Sequence, residues 1–333
     1  MLQTAQNSTI DTLLTGLKEA TGALNDSIME MRLPKRPLPP RTPRSRHDVV
    51  QILMEEVERR YGIAPGDQVE RKLLRVFEVM SIELLAAWTS ELLAPGAAEA
   101  EWLSLVESLT VHETYFCRDR DQLGLLQSEI LPGLIEARRR SGTHRLRIWS
   151  AGCASGEEPY NLAMLALLAL KEAGCAVERE DGSIVPSPHW SVSVLGSDVS
   201  AQMIRIARGA TYTVADMGAF RDMDPHLWHF FEEADRQEGG RERIFRVRSC
   251  VSDITRFRRH NLLEPLVEAE PFDLIMCRNV LIYFDSNKRP VQDLLCRSLA
   301  GGGALMLGAT DALLCSGGVE RRQRNGIFWY LKT

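Results

Sequence analysis

The 333-residue sequence lacks the features that mark several common classes of protein. Its longest apolar run, Leu162 to Leu170, is far too short to span a bilayer, so no direct membrane insertion is predicted. Met1 to Asp11 is polar and has no basic stretch, so we expect no secretory signal peptide and a cytoplasmic location. The net charge of −5 gives no global attraction to nucleic acid, which is therefore not expected as a partner.

Cysteine is present, but not in a pattern that binds metals or forms a disulfide framework. The seven cysteines are odd in number and contain no Cys-x-x-Cys pair, which is typical of reduced and mostly buried cytosolic thiols. No group of His and Cys has the spacing of metal ligands, so the sequence predicts no metal site.

One stretch with two glycines has the pattern of a ligand-binding turn. Residues 146–149 are predicted to end a buried strand, and Gly152 and Gly156 then break it. Glu157 opens an apolar helix that runs through Leu170. Such a turn forms a site of the nucleotide-binding type, because glycines let a ligand approach the backbone and the helix N-terminus presents N–H donors.

The charges in this turn narrow the choice of ligand. The spacing is not Gly-x-Gly-x-x-Gly, and no Lys-Ser/Thr pair is available for a phosphate-binding loop. Glu157 and Glu158 stand where phosphate would bind, which argues against a pyrophosphate and favours a ligand with hydroxyls and a positive charge. S-adenosylmethionine has a ribose, an ammonium and a sulfonium. The alternative is that both glutamates merely favour the helix N-terminus.

A second predicted strand, residues 190–198, ends in an acid, and Ser200 caps the helix that follows. In a doubly wound sheet, an acid at the carboxyl end of the second strand accepts hydrogen bonds from ribose hydroxyls. On the residues alone, Asp198 is therefore the strongest candidate for cofactor binding.

The N-terminal part of the chain is predicted to contain two segments. Residues 1–47 combine an amphipathic helix over residues 1–31 with a linker rich in Pro and Arg, and this helix either binds a partner or docks on its own domain. Residues 48–130 have the apolar spacing of a small all-helical domain, with Asp48 as the N-cap of its first helix.

Residues 131–333 alternate predicted strands and helices, which indicates a doubly wound, mostly parallel α/β sheet. Pro132 and the glycine after it are expected to interrupt the helix that precedes the first strand. Residues 211–250 break the alternation and are predicted to form an inserted subdomain, with a helix starting at Asp224. Gly301 to Gly303 is predicted as a turn before a later strand.

Five sequence motifs occur in one order along the chain. They are His-Glu-Thr-Tyr-Phe-Cys-Arg-Asp (112–119), Trp-Ser-Ala-Gly-Cys-Ala-Ser-Gly-Glu-Glu-Pro-Tyr (149–160), Gly-Ser-Asp (196–198), Asn-Leu-Leu-Glu (261–264) and Pro-Phe-Asp-Leu-Ile-Met-Cys-Arg-Asn-Val-Leu-Ile-Tyr-Phe (271–284). In this order they resemble the CheR family of chemotaxis-receptor methyltransferases over roughly residues 48–331.

The resemblance implies a fold and an activity. The fold would be a helical N-terminal domain, a seven-stranded methyltransferase sheet and an antiparallel β-subdomain inserted near residues 211–250, which in this family can bind a receptor tail. The activity would be transfer of a methyl group from S-adenosylmethionine to glutamate carboxylates of a chemotaxis-type receptor. The products would be glutamyl methyl esters and S-adenosylhomocysteine.

The resemblance also implies site residues, position by position. With Gly152 of the glycine turn, the predicted cofactor-binding residues are His112, Thr114, Arg118, Glu158, Asp198, Asn261, Leu262, Arg278 and Asn279. His112 stands where well-known members of the family have Asn. Arg118 and Tyr283 fall at positions beside the methyl donor and are the predicted catalytic residues. Without the resemblance, Arg118 would be interpreted as half of a surface pair and Tyr283 as a core aromatic.

The sequence departs from the family pattern in three places. Its second N-terminal helix offers only three basic residues where the family helix is often arginine-rich, and residues 1–47 have no counterpart in a minimal member. Residues 308–311 read Gly-Ala-Thr-Asp where the family often has Gly-His-Ser-Glu. The last change motivates an alternative, a non-catalytic S-adenosylmethionine-binding regulatory protein of a chemotaxis-like pathway, although intact Arg118 and Tyr283 count against it. A small-molecule methyltransferase is a third interpretation.

Overall fold

The computed structural model describes residues 43–333 except 65, 79–80, 95–98, 111, 216–217, 235–242 and 315–317. The chain forms two compact units that divide between residues 111 and 112. The predicted helix over residues 1–31 and most of the linker lie outside the described residues. The domain boundary predicted at residue 130 falls inside the second unit.

The described part of the first unit is helical. Its helices are α1 (Arg46–Tyr61), α2 (Asp67–Phe77), α3 (Ile82–Leu92) and α4 (Glu99–Leu109). Leu53, Trp88 and Trp102 are buried in this unit. The N-cap of α1 is Ser45 and not Asp48, so that prediction was wrong: Ser45 Oγ accepts the Asp48 N–H at 3.1 Å, and the Asp48 carboxylate accepts the Ser45 N–H at 3.0 Å. This reciprocal capping box places the acid three residues inside the helix.

The second unit begins with a helical run that precedes the sheet. Helix α5 (Arg120–Leu125) continues through one π-helical turn (Leu126–Ile130) into α6 (Leu131–Arg140). The prediction that Pro132 interrupts this helix was wrong. The Leu131 N–H bonds to the carbonyl five residues back, and this wider turn lets the helix continue where Pro132 has no N–H to donate.

The centre of the second unit is a mostly parallel seven-stranded sheet, as predicted. Its strands are β1 (Arg145–Ala151), β4 (Ser191–Asp198), β8 (Thr255–Arg259), β9 (Phe272–Cys277), β10 (Leu299–Leu307), β11 (Val319–Arg324) and β12 (Ile327–Lys332). The strand order is β11-β12-β10-β9-β1-β4-β8, and only the pairings of β12 are antiparallel. Strands β2 (Ala176–Glu178) and β3 (Ile184–Pro186) form a separate hairpin.

Helices cover both faces of the sheet. The flanking helices are α7 (Glu157–Glu172), α8 (Ala201–Gly209), the short α9 (Ser249–Ser252) and α10 (Lys288–Ser298). Ile148 of β1 belongs to the hydrophobic cluster that contains α7, whereas its neighbour Trp149 belongs to the cluster that contains α10. Successive strand residues point to opposite faces, so this division indicates a doubly wound arrangement. None of the helices in the described ranges is long and apolar enough to cross a membrane.

The predicted turn at Gly301 to Gly303 is instead part of β10. The pairing register between β9 and β10 shifts between Leu299 and Ala304, so the glycines form an irregularity inside the strand. A Cβ on Gly303 would lie 2.9 Å from the Ala300 carbonyl oxygen. The close backbone approach therefore explains glycine here better than a chain reversal does.

The insertion is an antiparallel three-stranded sheet, as predicted. Strands β5 (Thr211–Thr213), β6 (Phe231–Glu233) and β7 (Ile244–Val247) pair in the order β5-β7-β6. The helix expected after Asp224 is one short 3₁₀ segment, Pro225–Phe230. Aromatic residues, including Phe220 and Phe245 at 5.7 Å between ring centres, pack beneath this sheet.

Candidate active site

The predicted site residues gather at one edge of the central sheet. Strands β1, β4, β8, β9 and β10 are parallel neighbours, so their carboxyl ends meet at this edge. Gly152, Asp198, Asn261 and Arg278 lie at the ends of four of these strands or within two residues after them. In open α/β sheets this is the edge where ligands bind.

The glycine turn is tied to the neighbouring strand. The N–H groups of Gly152 and Cys153 both donate to the Ser197 carbonyl, at 2.8 and 2.9 Å. Gly152 has a φ of 79°, and a Cβ there would lie 2.3 Å from Val280 Cγ2. Only glycine fits this position, because both the backbone conformation and the neighbouring side chain exclude a Cβ.

Asp198, the last residue of β4, is hydrogen-bonded to this turn through its side chain. Its carboxylate is buried and accepts the N–H of Ala154 on one oxygen and the N–H of Ser200 on the other, both at 2.9 Å. Burial raises the pKa of Asp198, while these N–H donors and the charge of His112 act in the opposite direction. The two carboxylate oxygens together offer about four acceptor positions, more than the backbone N–H groups occupy, so Asp198 can still accept hydroxyl donors from a ligand.

Glu158 and Arg278 form a buried ion pair beside the turn. The Glu158 carboxylate accepts the Ser150 hydroxyl at 2.6 Å and the Arg278 Nε–H at 2.7 Å. Only 4% of the Arg278 side chain is exposed, and its Nη1 also donates to the Arg118 carbonyl at 2.8 Å. Nη1 lies 3.3 Å from a carboxylate oxygen of Asp119. Arg278 therefore joins the end of β9, the start of α7 and the segment that carries Arg118.

The backbone around Arg118 is strained. Its two neighbours, Cys117 and Asp119, have φ angles of 61° and 56°, a region that residues with a Cβ rarely adopt. The Cys117 N–H donates to the Asn161 side chain at 2.7 Å, which anchors the strained segment. The Arg118 guanidinium bonds to a residue five positions earlier in the chain, since Nη1 donates to the Glu113 carbonyl at 2.6 Å. Strain that the surroundings hold in place is common at functional sites.

The other predicted residues lie on segments that border the same edge. Asn261 Oδ1 accepts the Leu263 N–H at 3.1 Å, which turns the chain after β8 and places buried Leu262 below it. Asn279 follows β9 with a φ of 58°, and Tyr283 lies in the 3₁₀ turn after it, partly buried. Thr114 is partly buried in the same segment as Arg118.

Two features near the site were not predicted, the burial of Glu157 and the ion pair of Arg221. Glu157 is buried, the Ser155 hydroxyl donates to its side chain at 2.8 Å, and burial raises its pKa to about 7. The sequence pattern does not distinguish Glu157 from Glu158, although adjacent helical residues point about 100° apart. The second feature is the ion pair that Arg221 of the insertion forms with Glu113. No local pattern marks a contact between residues that lie so far apart in the chain.

Comparison with known proteins places this architecture in a family. Residues 112–324, more than half of the chain, match the family model described as CheR methyltransferase, SAM binding domain. The chain belongs to the CheR methyltransferase family. The resemblance predicted from the five motifs is thereby confirmed, and S-adenosylmethionine (SAM) is the cofactor.

Relatives agree with this assignment over most of the chain. Chemotaxis protein methyltransferase 1 of Pseudomonas aeruginosa is 31% identical over 77% of this chain and 87% of its own length. Chemotaxis protein methyltransferase 1 of Vibrio cholerae is 33% identical over 63% of this chain and 68% of its own length. The chemotaxis protein methyltransferase of Listeria monocytogenes is 32% identical over 70% of this chain and 76% of its own length. This CheR protein is a SAM-dependent methyltransferase.

The residues of the turn fit the chemistry of this cofactor. The turn presents the buried carboxylate of Asp198 and the partly buried carboxylate of Glu158 and, in residues 152–158, no Lys or Arg. Acids with free lone pairs accept ribose hydroxyls and favour a positively charged ligand over a phosphate. Arg278, which lies beside this turn, is already paired with Glu158.

Proposed function

We propose that this CheR protein methylates glutamate side chains of a methyl-accepting chemotaxis receptor and forms glutamyl methyl esters. The observation that carries this proposal is the placement of Arg118. Arg278 binds both the Arg118 carbonyl and the Glu158 carboxylate, so it fastens the segment of Arg118 to the acidic glycine turn. Within the part of the chain that the structure describes, the Arg118 guanidinium is not paired with an acid. A carboxylate substrate requires such a cation in a site that is otherwise acidic.

The reaction needs orientation more than acid–base chemistry. A glutamate carboxylate is ionised at neutral pH, so no general base has to activate it. When bound, SAM supplies an electrophilic methyl group on a sulfonium. The protein has to align the carboxylate oxygen with that methyl group and exclude water.

Arg118 is proposed to orient the substrate. Its planar guanidinium can hold a carboxylate through two parallel hydrogen bonds, once it leaves the Glu113 carbonyl that it contacts in this structure. The Tyr283 hydroxyl is proposed to donate to the substrate carboxylate as well.

The remaining predicted residues are proposed to bind the cofactor. Asp198 would accept the ribose hydroxyls, and Gly152 would keep the backbone open beside it. Those assigned to the rest of the cofactor site are His112, Thr114, Glu158, Asn261, Leu262, Arg278 and Asn279. The contacts of Arg278 with Glu158 and with the Arg118 carbonyl favour an organising role for it, in addition to any contact with the cofactor.

The substrate class can be tested directly. The full chain is incubated with methyl-labelled SAM and a purified cytoplasmic fragment of a chemoreceptor, and alkali-released labelled methanol is measured. We expect alkali-labile label that disappears when the methylated glutamates of the fragment are replaced by glutamine. Label stable to alkali would refute ester formation. Cofactor binding without label in any receptor fragment would instead support the non-catalytic regulator.

Arg118→Lys tests the orienting role. Lysine keeps the charge but loses the planar fork, so we expect the single-turnover rate to fall much more than the affinity for SAM. Arg140→Lys, at an exposed position of α6, is the control and should leave both unchanged. A wild-type rate in Arg118→Lys would remove this residue from the catalytic assignment.

A further inference from the structure

The segment that carries Arg118 is hydrogen-bonded to two backbone carbonyls of the inserted subdomain. The Phe116 N–H donates to the Ala219 carbonyl at 2.8 Å. The Arg120 guanidinium donates to the Asp222 carbonyl, also at 2.8 Å. We call residues 113–120 the arginine segment and residues 218–224 the subdomain loop. These bonds hold the arginine segment before and after its strained residues.

One side chain of the subdomain loop reaches the residues that contact Arg118. The Arg221 guanidinium forms an ion pair with the Glu113 carboxylate and lies 3.7 Å from the centre of the Tyr115 ring. Its side chain is only 16% exposed. Arg118 uses the same two residues, because it donates to the Glu113 carbonyl and lies 5.7 Å from the Tyr115 ring. The two arginines therefore share one support.

We propose that Arg221 is a positioning residue for Arg118, through which the inserted subdomain sets the geometry of methyl transfer. Arg221 contacts Glu113 and Tyr115, and these two residues contact the Arg118 guanidinium. Arg221 thereby fixes the position of that guanidinium. This inference depends on the proposed function only in so far as Arg118 orients the substrate.

The strain around Arg118 explains why such a support is needed. Cys117 and Asp119 have positive φ angles, and this conformation persists only where the surroundings hold it. Without Arg221, the bonds of Phe116 and Arg120 to the subdomain loop remain, but the Glu113 side chain loses its ion pair with that loop. A displacement of about 1 Å at an orienting group can cost about a hundredfold in rate.

Hydrogen exchange tests the support without any substrate. In Arg221→Ala we expect faster amide exchange in the arginine segment, including Phe116 and Cys117, while the central strands stay protected. Arg243→Ala is the matched control, because Arg243 also pairs with a glutamate and lies 4.9 Å from an aromatic ring within the insertion. The control should leave the arginine segment unchanged. Unchanged exchange in Arg221→Ala would overturn the proposal.

Kinetics then distinguish positioning from general stability. We expect Arg221→Ala to lower the single-turnover rate about tenfold to a hundredfold, with affinity for S-adenosylhomocysteine within about twofold of wild type. Arg221→Lys, which retains the ion pair with Glu113, should recover part of the rate. If Arg221→Ala does not fold, Glu113→Gln removes the same ion pair from its more exposed side.

A double-mutant cycle provides the decisive comparison. If Arg221 acts through Arg118, adding Arg221→Ala to Arg118→Lys should cost less than about twofold more in rate. Losses that multiply would overturn the positioning role. If the wild-type chain methylates no receptor fragment, the proposed function fails, whereas the exchange experiment still decides whether Arg221 holds the segment.

Discussion

Glu157 contributes to the pH dependence of the stability of the second unit, and Glu157→Gln should remove that contribution. Glu157 is the first residue of α7, and only 4% of it is exposed. Burial raises its pKa from 4.5 to about 7, and the Ser155 hydroxyl only partly offsets this. Glutamine has nearly the same shape and can still accept that hydroxyl, but it does not ionise.

The size of the effect follows from the shift in pKa. A shift from 4.5 to about 7 corresponds to about 3 kcal/mol, at about 1.4 kcal/mol for each pKa unit. Because the pKa is raised on folding, the folded state binds the proton more tightly than the unfolded state. Below pH 4.5 both states are protonated and stability is unaffected. Stability then falls as pH rises from about 4.5 to 7 and stays lower above that.

Urea unfolding of the wild type and of Glu157→Gln, followed by circular dichroism at pH 5, 6, 7 and 8, measures this dependence. We expect the wild type to lose up to about 3 kcal/mol relative to the variant between pH 5 and pH 8. Glu172→Gln, at the exposed end of α7, should follow the wild type at every pH. Parallel stability curves for wild type and Glu157→Gln would refute the reasoning, since they would mean that Glu157 does not carry the buried charge.

The remaining predictions concern the cofactor turn and the chain end. Asp198→Ala should weaken SAM binding by about 1–3 kcal/mol in calorimetry, because ribose hydroxyls lose their acceptor; unchanged affinity would contradict the assignment. Gly152→Ala should weaken SAM binding more than tenfold, whereas Gly142→Ala, with a similar φ of 71° and no nearby atoms, should not. Deleting residues 1–42 should leave folding and SAM affinity intact, but a longer deletion that removes Ser45 should lower the stability of the first unit by about 1 kcal/mol in thermal unfolding.

The sequence predicted the sheet and the insertion well because their patterns are local. Buried strands, glycine turns and apolar helices alternate after residue 140, and each element leaves its own periodicity. The position of the domain boundary has no such signature. Residues 120–140 are apolar on one face, and Leu126 and Leu131 pack in the core of the sheet unit. The periodicity of a helix shows that it has a partner, but not which domain supplies it.

Residues of the candidate site could be predicted where they follow a local pattern, and could not where they depend on contacts between distant parts of the chain. Asp198 could be predicted because it ends a strand of a parallel sheet. In this topology the carboxyl ends of the strands form the edge where ligands bind. Arg221 lies 108 residues from Glu113, and nothing in a polar loop of an insertion marks one arginine for that contact. Glu157 and Glu158 differ in environment because the first faces the interior and the second faces Arg278.

Arg278 connects Glu158 to the backbone of Arg118, so a substitution at one of them can displace the other. The charge of Arg278 is balanced by two acids, the Glu158 carboxylate at 2.7 Å and the Asp119 carboxylate at 3.3 Å. Replacing Glu158 would therefore disturb Arg278 and, through it, the carbonyl of Arg118. If Arg118 orients the substrate and Glu158 contacts the cofactor, as proposed, lower activity in such a variant follows from a displaced Arg118 as directly as from a lost cofactor contact. The two causes separate only when cofactor affinity and single-turnover rate are measured on the same protein, because the first reports the turn and the second the arginine.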